Sequence, residues 1–526
     1  MTKMIHLKIS LFILIITLSL SLPAQLSSGE IDALVEDAME QFNVAGVAVG
    51  LVKDGKIVHA RGYGVTSVKT GKKVNEHTSF GIASNSKAFT TAALAILVEE
   101  GKIKWTDKVV DHIPEFQMYN DYVTRNFNIV DLLVHRSGLG LGAGDLQFWP
   151  SGSDFSIGDM LSNFQHFEPV SAFRTQYDYD NILYMVAGEL IKRVSGESWG
   201  TFVRKRILDP LGMDHSFTLP PRMINSPNLA FPHMEVDGNL ELISFFDYDP
   251  EKVNGAAAGV VSNVDDLCRW MLLHLNRGKY GPGLKESLFT EKSHSFMWRI
   301  HTPMTVRPDE RYNSHFAGYG LGWRLEDMAG HMSVSHTGDV SGMLSKTIMF
   351  PDLGLGVVVL TNSYYGGGAL FQAVSKSITD GYLGLEPYDW TAYYLDRHLT
   401  LSKSAGEVVE KVWEHVESGD HQGVIQDNYI GEYADPWFGE VSISLKEGQL
   451  WFSSRRSPRL SGPMYHYKAN AFAVRWTERE LDADAFAIFS LDEEGIAQEM
   501  KMKGISPDLD FSYDFQDLHF RRIREP

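Results

Sequence analysis

Ser84-Asn85-Ser86-Lys87-Ala88-Phe89-Thr90-Thr91-Ala92-Ala93-Leu94-Ala95-Ile96-Leu97 is the stretch on which the reading of this chain turns. Phe89, Ala92, Ala93, Ile96 and Leu97 recur at helical spacing and run to Gly101, a residue suited to a C-terminal cap. The small residues between them predict a helix buried on most sides, the spine of a domain. At its start stand a serine and, three residues on, a lysine, which a helix brings onto one face one turn apart.

Upstream, Ile31, Leu34, Val35, Ala38 and Met39 have helical spacing. Val47–Val52 and Ile57–Ala60 flank Lys53-Asp54-Gly55-Lys56 and read as a β-hairpin whose Asp-Gly turn sets the register. Downstream, helical segments separated by loops fill Asn128 to Met213. His331 to His336, Leu344 to Phe350 and Val357 to Thr361 then read as strands, with Pro351-Asp352-Leu353-Gly354 as a turn. A helix, a hairpin, a helical middle and returning strands predict one sheet built from both chain ends, so residues 25 to 385 form one α/β unit with a helical subdomain inserted. A charged helical linker spans 386–425. Short alternating strands, among them Val441–Leu445, Leu450–Phe452 and Ala471–Val474, predict a small antiparallel β-domain over 426–526.

The chain has 526 residues and is 44% hydrophobic, long enough for two folded units with large cores. Residues 1–24 carry Lys3 and Lys8, an apolar run from Ile9 to Leu22, and Pro23-Ala24, the layout of a secretory signal peptide. Export to the periplasm or the exterior is the expectation, and a retained N-terminal membrane anchor is the alternative. No later apolar run is long enough to predict a stable membrane span. Losing Lys3 and Lys8 takes the formal charge from −19 to −21, which disfavours nucleic acid as a partner. The single cysteine, Cys268, excludes an intramolecular disulfide and reads as a small buried apolar residue.

Two triplets follow the first motif at domain-scale separations: Tyr179-Asp180-Asn181 and His336-Thr337-Gly338. A serine hydroxyl becomes a nucleophile when a neighbouring base takes its proton, a task suited to Lys87 or Tyr179. Tyr179 relays protons only if its pKa falls from about 10 toward 7, which a close Lys87 ammonium in a desolvated cleft can supply. Asn181 can hold the lysine and a substrate carbonyl with its amide. His336 ends a strand as one wall of the cleft. Gly338 lets a substrate backbone approach, and the N–H of Asp339 can join that of Ser84 as an oxyanion hole. No metal-ligand spacing accompanies the histidines, and no cofactor is expected. The expected partner is a small-molecule or peptide substrate. Taken alone, Ser84 reads as a helix N-cap, Lys87 as a surface charge and His336 as a structural imidazole.

The set resembles the class C β-lactamase and D-alanyl-D-alanine carboxypeptidase family, with its related esterases and D-aminopeptidases, whose hallmarks are Ser-x-x-Lys, Tyr-x-Asn and Lys- or His-x-Gly. Similar stretches extend over roughly residues 30 to 365: Gly62-Tyr63-Gly64, Asp131 to Leu139, Asp209 to Met213, Gly255 to Ser262 and Tyr319 to Trp323. The resemblance implies an α/β (α+β) fold, an antiparallel sheet flanked by helices, and an exported serine hydrolase acting through a Ser84 acyl-enzyme. It implies a structural part for His135 and Ser137. Where dedicated class C β-lactamases carry a permanent lysine cation, this chain carries His336, largely neutral at pH 7. Esters, D-peptides or amides are therefore expected, with weak β-lactam turnover at most.

Gly196-Glu197-Ser198-Trp199-Gly200 matches the nucleophile elbow of α/β-hydrolases, but helical spacing on both sides makes it a turn between helices. The loop from Gly140 to Arg174 is expected to overhang the cleft, with Phe148, Trp149 and Phe173 either in an acyl pocket or in the core. A different class of reading is a non-catalytic envelope protein that binds peptidoglycan or another ligand on a retired hydrolase fold.

Overall fold

The computed structural model describes residues 25–306, 309–419 and 425–524. The expected signal segment, residues 1–24, lies outside the described residues. Helix α1 (Ser28–Gln41) begins with a reciprocal capping box between Ser27 and Glu30. The chain then enters the hairpin β1 (Gly46–Lys53) and β2 (Lys56–Gly64), where Asp54 and Gly55 both adopt the positive φ that a tight hairpin turn requires. Six further strands join them: β3 (Thr302–Pro303), β4 (Ala317–Tyr319), β5 (Arg324–Met328), β6 (His331–Val340), β7 (Met343–Phe350) and β8 (Leu355–Thr361). Their order is β2-β1-β8-β7-β6-β5-β4-β3, antiparallel throughout. Val47 pairs with Thr361 and Lys53 with Leu355, so the first and last strands of the sheet lie side by side, as the sequence predicts.

Alternation along the central strands divides the core into two layers. Val47, Val49, Leu51, Val357 and Val359 face α1 and a second helix, α5 (Gly366–Tyr382). Ala48, Val52, Val358 and Leu360 face the opposite layer, which contains α2 (Ser86–Glu99), α3 (Ile182–Ser195) and α4 (Val264–Leu275). Each such valine or leucine stabilises the fold by roughly 1.5–3 kcal/mol on burial. Helix α4 approaches the sheet closely because Gly50 has no side chain: a Cβ there would stand 2.7 Å from Cys268 Sγ. Cys268 is free and fully buried, the apolar role expected of it. Every residue of α2 from Ser86 to Leu97 is buried, which makes this helix the spine of the domain.

Helix α6 (Trp390–Glu417) packs at both ends. Trp390 stacks on Tyr312 beneath the sheet, while Val412, Trp413 and Val416 meet Ala473 and Ile505 of the C-terminal domain. That domain is a closed antiparallel barrel of eight strands: β9 (Gly431–Asp435), β10 (Gly439–Lys446), β11 (Gln449–Ser454), β12 (Ser461–Lys468), β13 (Ala471–Val474), β14 (Ala485–Leu491), β15 (Ala497–Gly504) and β16 (His519–Arg524). Tyr433 opposite Arg522 closes the ring. Closure removes the unpaired edges that an open sheet of short strands would leave. The barrel docks on the helical subdomain: Asn163 donates to the Trp437 carbonyl, Phe167 packs edge-on to Trp437, and Arg456 pairs with Asp154 and Asp159. Among the described residues, no helix is long and apolar enough to cross a membrane.

Candidate active site

Ser84 does not open α2. It lies in a short 3-10 turn, Ala83–Asn85, directly ahead of the helix, with Ala83 at φ 47°. The turn is held from the sheet: Ser345 Oγ on β7 donates to the Ile82 carbonyl at 2.7 Å and accepts from Asn85 Nδ2 at 2.8 Å. Lys87, one turn on, has no solvent exposure, because α2 is buried on all sides here. Its ammonium finds three acceptors for three N–H groups: Asn181 Oδ1 at 2.7 Å, Ser84 Oγ at 2.9 Å and the Ala257 carbonyl at 3.1 Å. Burial lowers the Lys87 pKa to about 7, against the pull of the Asp145 and Asp180 carboxylates.

Asn181, just before α3, is fixed on its other side by donation from Nδ2 to Asp145 Oδ2 at 2.7 Å. Asp145 and Asp180 are themselves desolvated, which raises their pKa values to about 8 and about 7. Burial thus leaves Lys87 with a proton affinity near neutrality, which these neighbours restore only in part toward the ordinary lysine value.

Tyr179 departs from the expectation. Its hydroxyl is buried, makes no hydrogen bond, and has its pKa pushed well up by burial, with only partial relief from nearby Ser84. Lys87 Nζ stands 4.8 Å from the centre of the Tyr179 ring, over its face. Tyr179 keeps its proton near neutral pH, whereas the sequence reading asks for a pKa lowered toward 7.

His336 does not end a strand, because β6 runs on to Val340. Pairing with β5 stops at Arg324 opposite Ser335, and the segment Thr337–Val340 turns to the cleft. The His336 ring is buried, with Nε2 at 2.8 Å from the Tyr319 hydroxyl and Nδ1 at 2.6 Å from the Thr337 carbonyl. Desolvation and the charges of Arg324 and Lys87 hold its pKa well below the usual imidazole range. Gly338 is required for a reason other than substrate approach. A Cβ there would lie 2.3 Å from the Ile82 carbonyl, 2.7 Å from Ser345 Oγ and 2.9 Å from Ala83 Cβ, so the glycine lets β6 close against the turn that carries Ser84.

Ser84, Tyr179, Asn181, His336, Thr337, Gly338 and Asp339 line one cleft of about 640 Å³, with Lys87 beneath its floor. Phe148 and Trp149 line it too. Phe173 does not, and stacks instead on Phe127 in the core. His135 is buried among the rings of Tyr177, Tyr179, Tyr184 and Tyr319, and its Nδ1 accepts from the Asp180 N–H at 3.2 Å. Ser137 donates to Asp180 at 3.0 Å. Ser198 caps the short helix Trp199–Val203 on the surface, away from the cleft.

Residues not singled out from sequence complete the cleft. Arg324 is a permanent cation on β5 whose Nη1 donates to Thr337 Oγ1 at 3.2 Å; it directly follows the Tyr319–Trp323 stretch, where a charge after so apolar a run was the available signal. Asp145 sits in the glycine-rich loop after Gly144. The segment Asp508–Ser512 reaches the same cleft from the C-terminal barrel, and no sequence pattern marks it. Among the described residues, no group of three or more His, Cys, Asp or Glu is arranged to hold a metal ion.

The α/β domain with its three motifs around one cleft, joined to a β-barrel, defines the class: a β-lactamase/transpeptidase-like fold with an appended barrel. Residues 31–374 match the family described as Beta-lactamase, and the chain belongs to that family. Residues 425–522 match a domain of unknown function, DUF3471. The chain is similar to the Unguisins hydrolase ungD' of Aspergillus campestris, 25% identical over 80% of this chain and 79% of the relative. It is also similar to Protein flp of Staphylococcus aureus strain MW2, 26% identical over 64% of this chain and 63% of the relative. In fold it resembles the octameric penicillin-binding protein homologue from Pyrococcus abyssi, with TM-score 0.59 and 19% identity over 94% of this chain and all of that one. The penicillin-binding protein from Bacillus halodurans aligns with TM-score 0.53 and 20% identity over 65% of this chain and 99% of that one.

Proposed function

We propose that this protein is a serine hydrolase that cleaves ester or amide bonds through a Ser84 acyl-enzyme, with Lys87 as the base. The observation that carries this reading is the hydrogen bonding of Lys87. Asn181 Oδ1 and the Ala257 carbonyl can only accept, so each takes an N–H whatever the charge of the amine. When Lys87 loses its third proton, the lone pair points at Ser84 Oγ, 2.9 Å away. A pKa near 7 makes that form accessible at neutral pH.

In acylation, Lys87 Nζ takes the Ser84 hydroxyl proton as Oγ attacks the carbonyl carbon. The N–H groups of Ser84 and Asp339 receive the developing oxyanion. Tyr179, kept protonated by burial, gives its proton to the leaving alcohol or amine as the acyl bond breaks, and regains one from Lys87. Water then attacks the acyl-enzyme, one proton returns to Ser84, and the acid departs. Lys87 and Tyr179 exchange protons as a coupled pair.

Arg324 beside Thr337 supports acyl donors that carry a carboxylate close to the reacting carbonyl, a cation that His336 does not supply. The Aspergillus relative is named a hydrolase, which agrees with this reaction class. Export by the N-terminal segment is part of the same reading.

The test is labelling by a fluorophosphonate, located by mass spectrometry, in the wild type, Ser84→Ala and Ser198→Ala. Adduct on Ser84, lost in the first variant and retained in the second, is expected. Absence of adduct at Ser84 in the wild type across pH 6 to 9, a range of about one unit either side of the lysine and carboxyl values, sinks the proposal. A panel of p-nitrophenyl esters, D-amino-acid anilides, a D-Ala-D-Ala peptide and a chromogenic cephalosporin then sorts the substrates.

A further inference from the structure

The C-terminal barrel does more than adjoin the cleft. Between β15 and β16 its chain turns back into the hydrolase domain, and one unbroken hydrogen-bond path crosses the boundary. Ser512 Oγ donates to Asp145 Oδ2 at 2.8 Å, Asn181 Nδ2 donates to the same oxygen at 2.7 Å, Asn181 Oδ1 accepts from Lys87 Nζ at 2.7 Å, and Lys87 contacts Ser84 Oγ at 2.9 Å. Ser512, Asn181, Asp145 and Lys87 are exposed by 9%, 6%, 0% and 0% of their surfaces, so water does not substitute for the links.

The grip on this loop is extensive. Asp514 of the barrel accepts from the N–H groups of Gly144 and Leu146, on either side of Asp145, at 2.6 and 3.0 Å. Phe511 meets the Tyr179 ring edge-on at 5.8 Å, and its carbonyl occupies the space beside Gly142, where a Cβ would stand 2.5 Å away at φ +72°. A glycine is thus required on the hydrolase side for the barrel segment to fit.

We propose that the barrel is part of the catalytic unit, with Ser512 a positioning residue that fixes Asp145, favours its ionised form, and thereby sets the orientation of Asn181 and the proton affinity of Lys87. This rests on the reading of Lys87 as the base for Ser84. The Ser512 hydroxyl stabilises the ionised Asp145 against its desolvation. The other charged and titratable neighbours leave it that part. Asp145 is faced by Lys87, Asp180 and the barrel's own Asp514, two of which are carboxyls that oppose its ionisation. Lys87 is faced by Asp145, Asp180 and Arg324, by the rings of Tyr179 and Tyr184, and by the neutral imidazoles of His135 and His336. Without the Ser512 donor, Asp145 takes up a proton more readily, its negative charge no longer supports the ammonium, and Lys87 loses its proton at lower pH.

The experiment follows the lysine 13Cε resonances of the full chain against pH, with Lys87 assigned by its loss in Lys87→Met. Lys346 serves as an internal reference: its pKa is also lowered to about 7 by burial, but it points to the other face of β7 and donates to Gln372. In Ser512→Ala the Lys87 midpoint is expected to fall by about half a pH unit or more, with Lys346 unchanged and Ser512→Thr restoring the wild-type value. If Ser512→Ala does not fold, Ser512→Cys, a weaker donor of similar size, is read in its place with a smaller fall in the same direction. A Lys87 midpoint within about 0.1 unit of wild type, or equal movement of Lys346, overturns the proposal. The titration decides whether or not Ser84 reacts, while fluorophosphonate labelling of the wild type judges the hydrolase reading separately.

Discussion

Gly338→Ala tests how the sheet sets the geometry of the nucleophile. The added Cβ would lie 2.3 Å from the Ile82 carbonyl oxygen, whereas an ordinary carbon–oxygen contact is about 3.3 Å. Strand β6 and the Ala83–Asn85 turn must then part by about 1 Å. The turn cannot simply slide, because Ser345, paired opposite Gly338 on β7, holds both Ile82 and Asn85 and is itself 2.7 Å from the new methyl. Overpacking of this kind costs about 1–3 kcal/mol of stability, which a domain with so large a core tolerates. A displacement of about 1 Å between nucleophile and oxyanion donors costs about 100-fold in rate. The expected result is a folded protein, with a modest fall in Tm, that acylates with fluorophosphonate or a p-nitrophenyl ester about 100 times more slowly. A folded Gly338→Ala that labels Ser84 at the wild-type rate refutes the reasoning.

The remaining predictions concern charge and the long helix. Because Lys87 must be neutral to accept the Ser84 proton, the acylation rate should rise with pH through about 7, and the stopped-flow profile should lose that limb in Lys87→Arg, whose guanidinium keeps its proton; an unchanged profile removes Lys87 from the role. Arg324→Gln should raise KM for a carboxylate-bearing acyl donor by about 10-fold or more while leaving a neutral ester within about 2-fold, and equal losses on both substrates would assign Arg324 to structure alone. Tyr179→Phe should slow amide cleavage far more than cleavage of a p-nitrophenyl ester, whose leaving group needs no proton; equal losses would argue against proton donation by Tyr179. Gly406→Ala, inside α6 with open space around the new methyl, should stabilise the protein by roughly 0.5–1 kcal/mol in urea unfolding, and destabilisation would contradict the described packing.

The lysine and the tyrosine illustrate how one buried charge acts differently on two neighbours. Lys87 lies over the face of the Tyr179 ring, where the quadrupole attracts a cation, and it reaches Ser84 directly. The oxygen of Tyr179 is buried with only partial relief from Ser84, so its proton is held more tightly. Chain order and residue type alone suggested the reverse assignment, with the ammonium lowering the phenol. The difference is one of direction within a few ångströms, a property of side-chain placement and not of motif spacing.

The sequence by itself determined the order of elements, the joining of both chain ends in one sheet and the membership of the three motifs, because these follow from local periodicity, turn chemistry and short-range spacing. Continuous apolar runs at Val47–Val52 and Val357–Leu360 are those of strands buried on both faces, and the apolar wrap of α2 specified the spine. Only the tertiary structure decided the state of the groups in the cleft. Lys87 has its pKa near 7 because distant segments exclude water from it, an effect that the nearby Asp145 and Asp180 offset only in part. Gly338 is needed because β6 closes on the serine turn, and Ser512 reaches Asp145 from a domain whose own strands give no hint of it. Desolvation and hydrogen-bond partnership depend on which remote surfaces meet, and no local window of sequence contains that information.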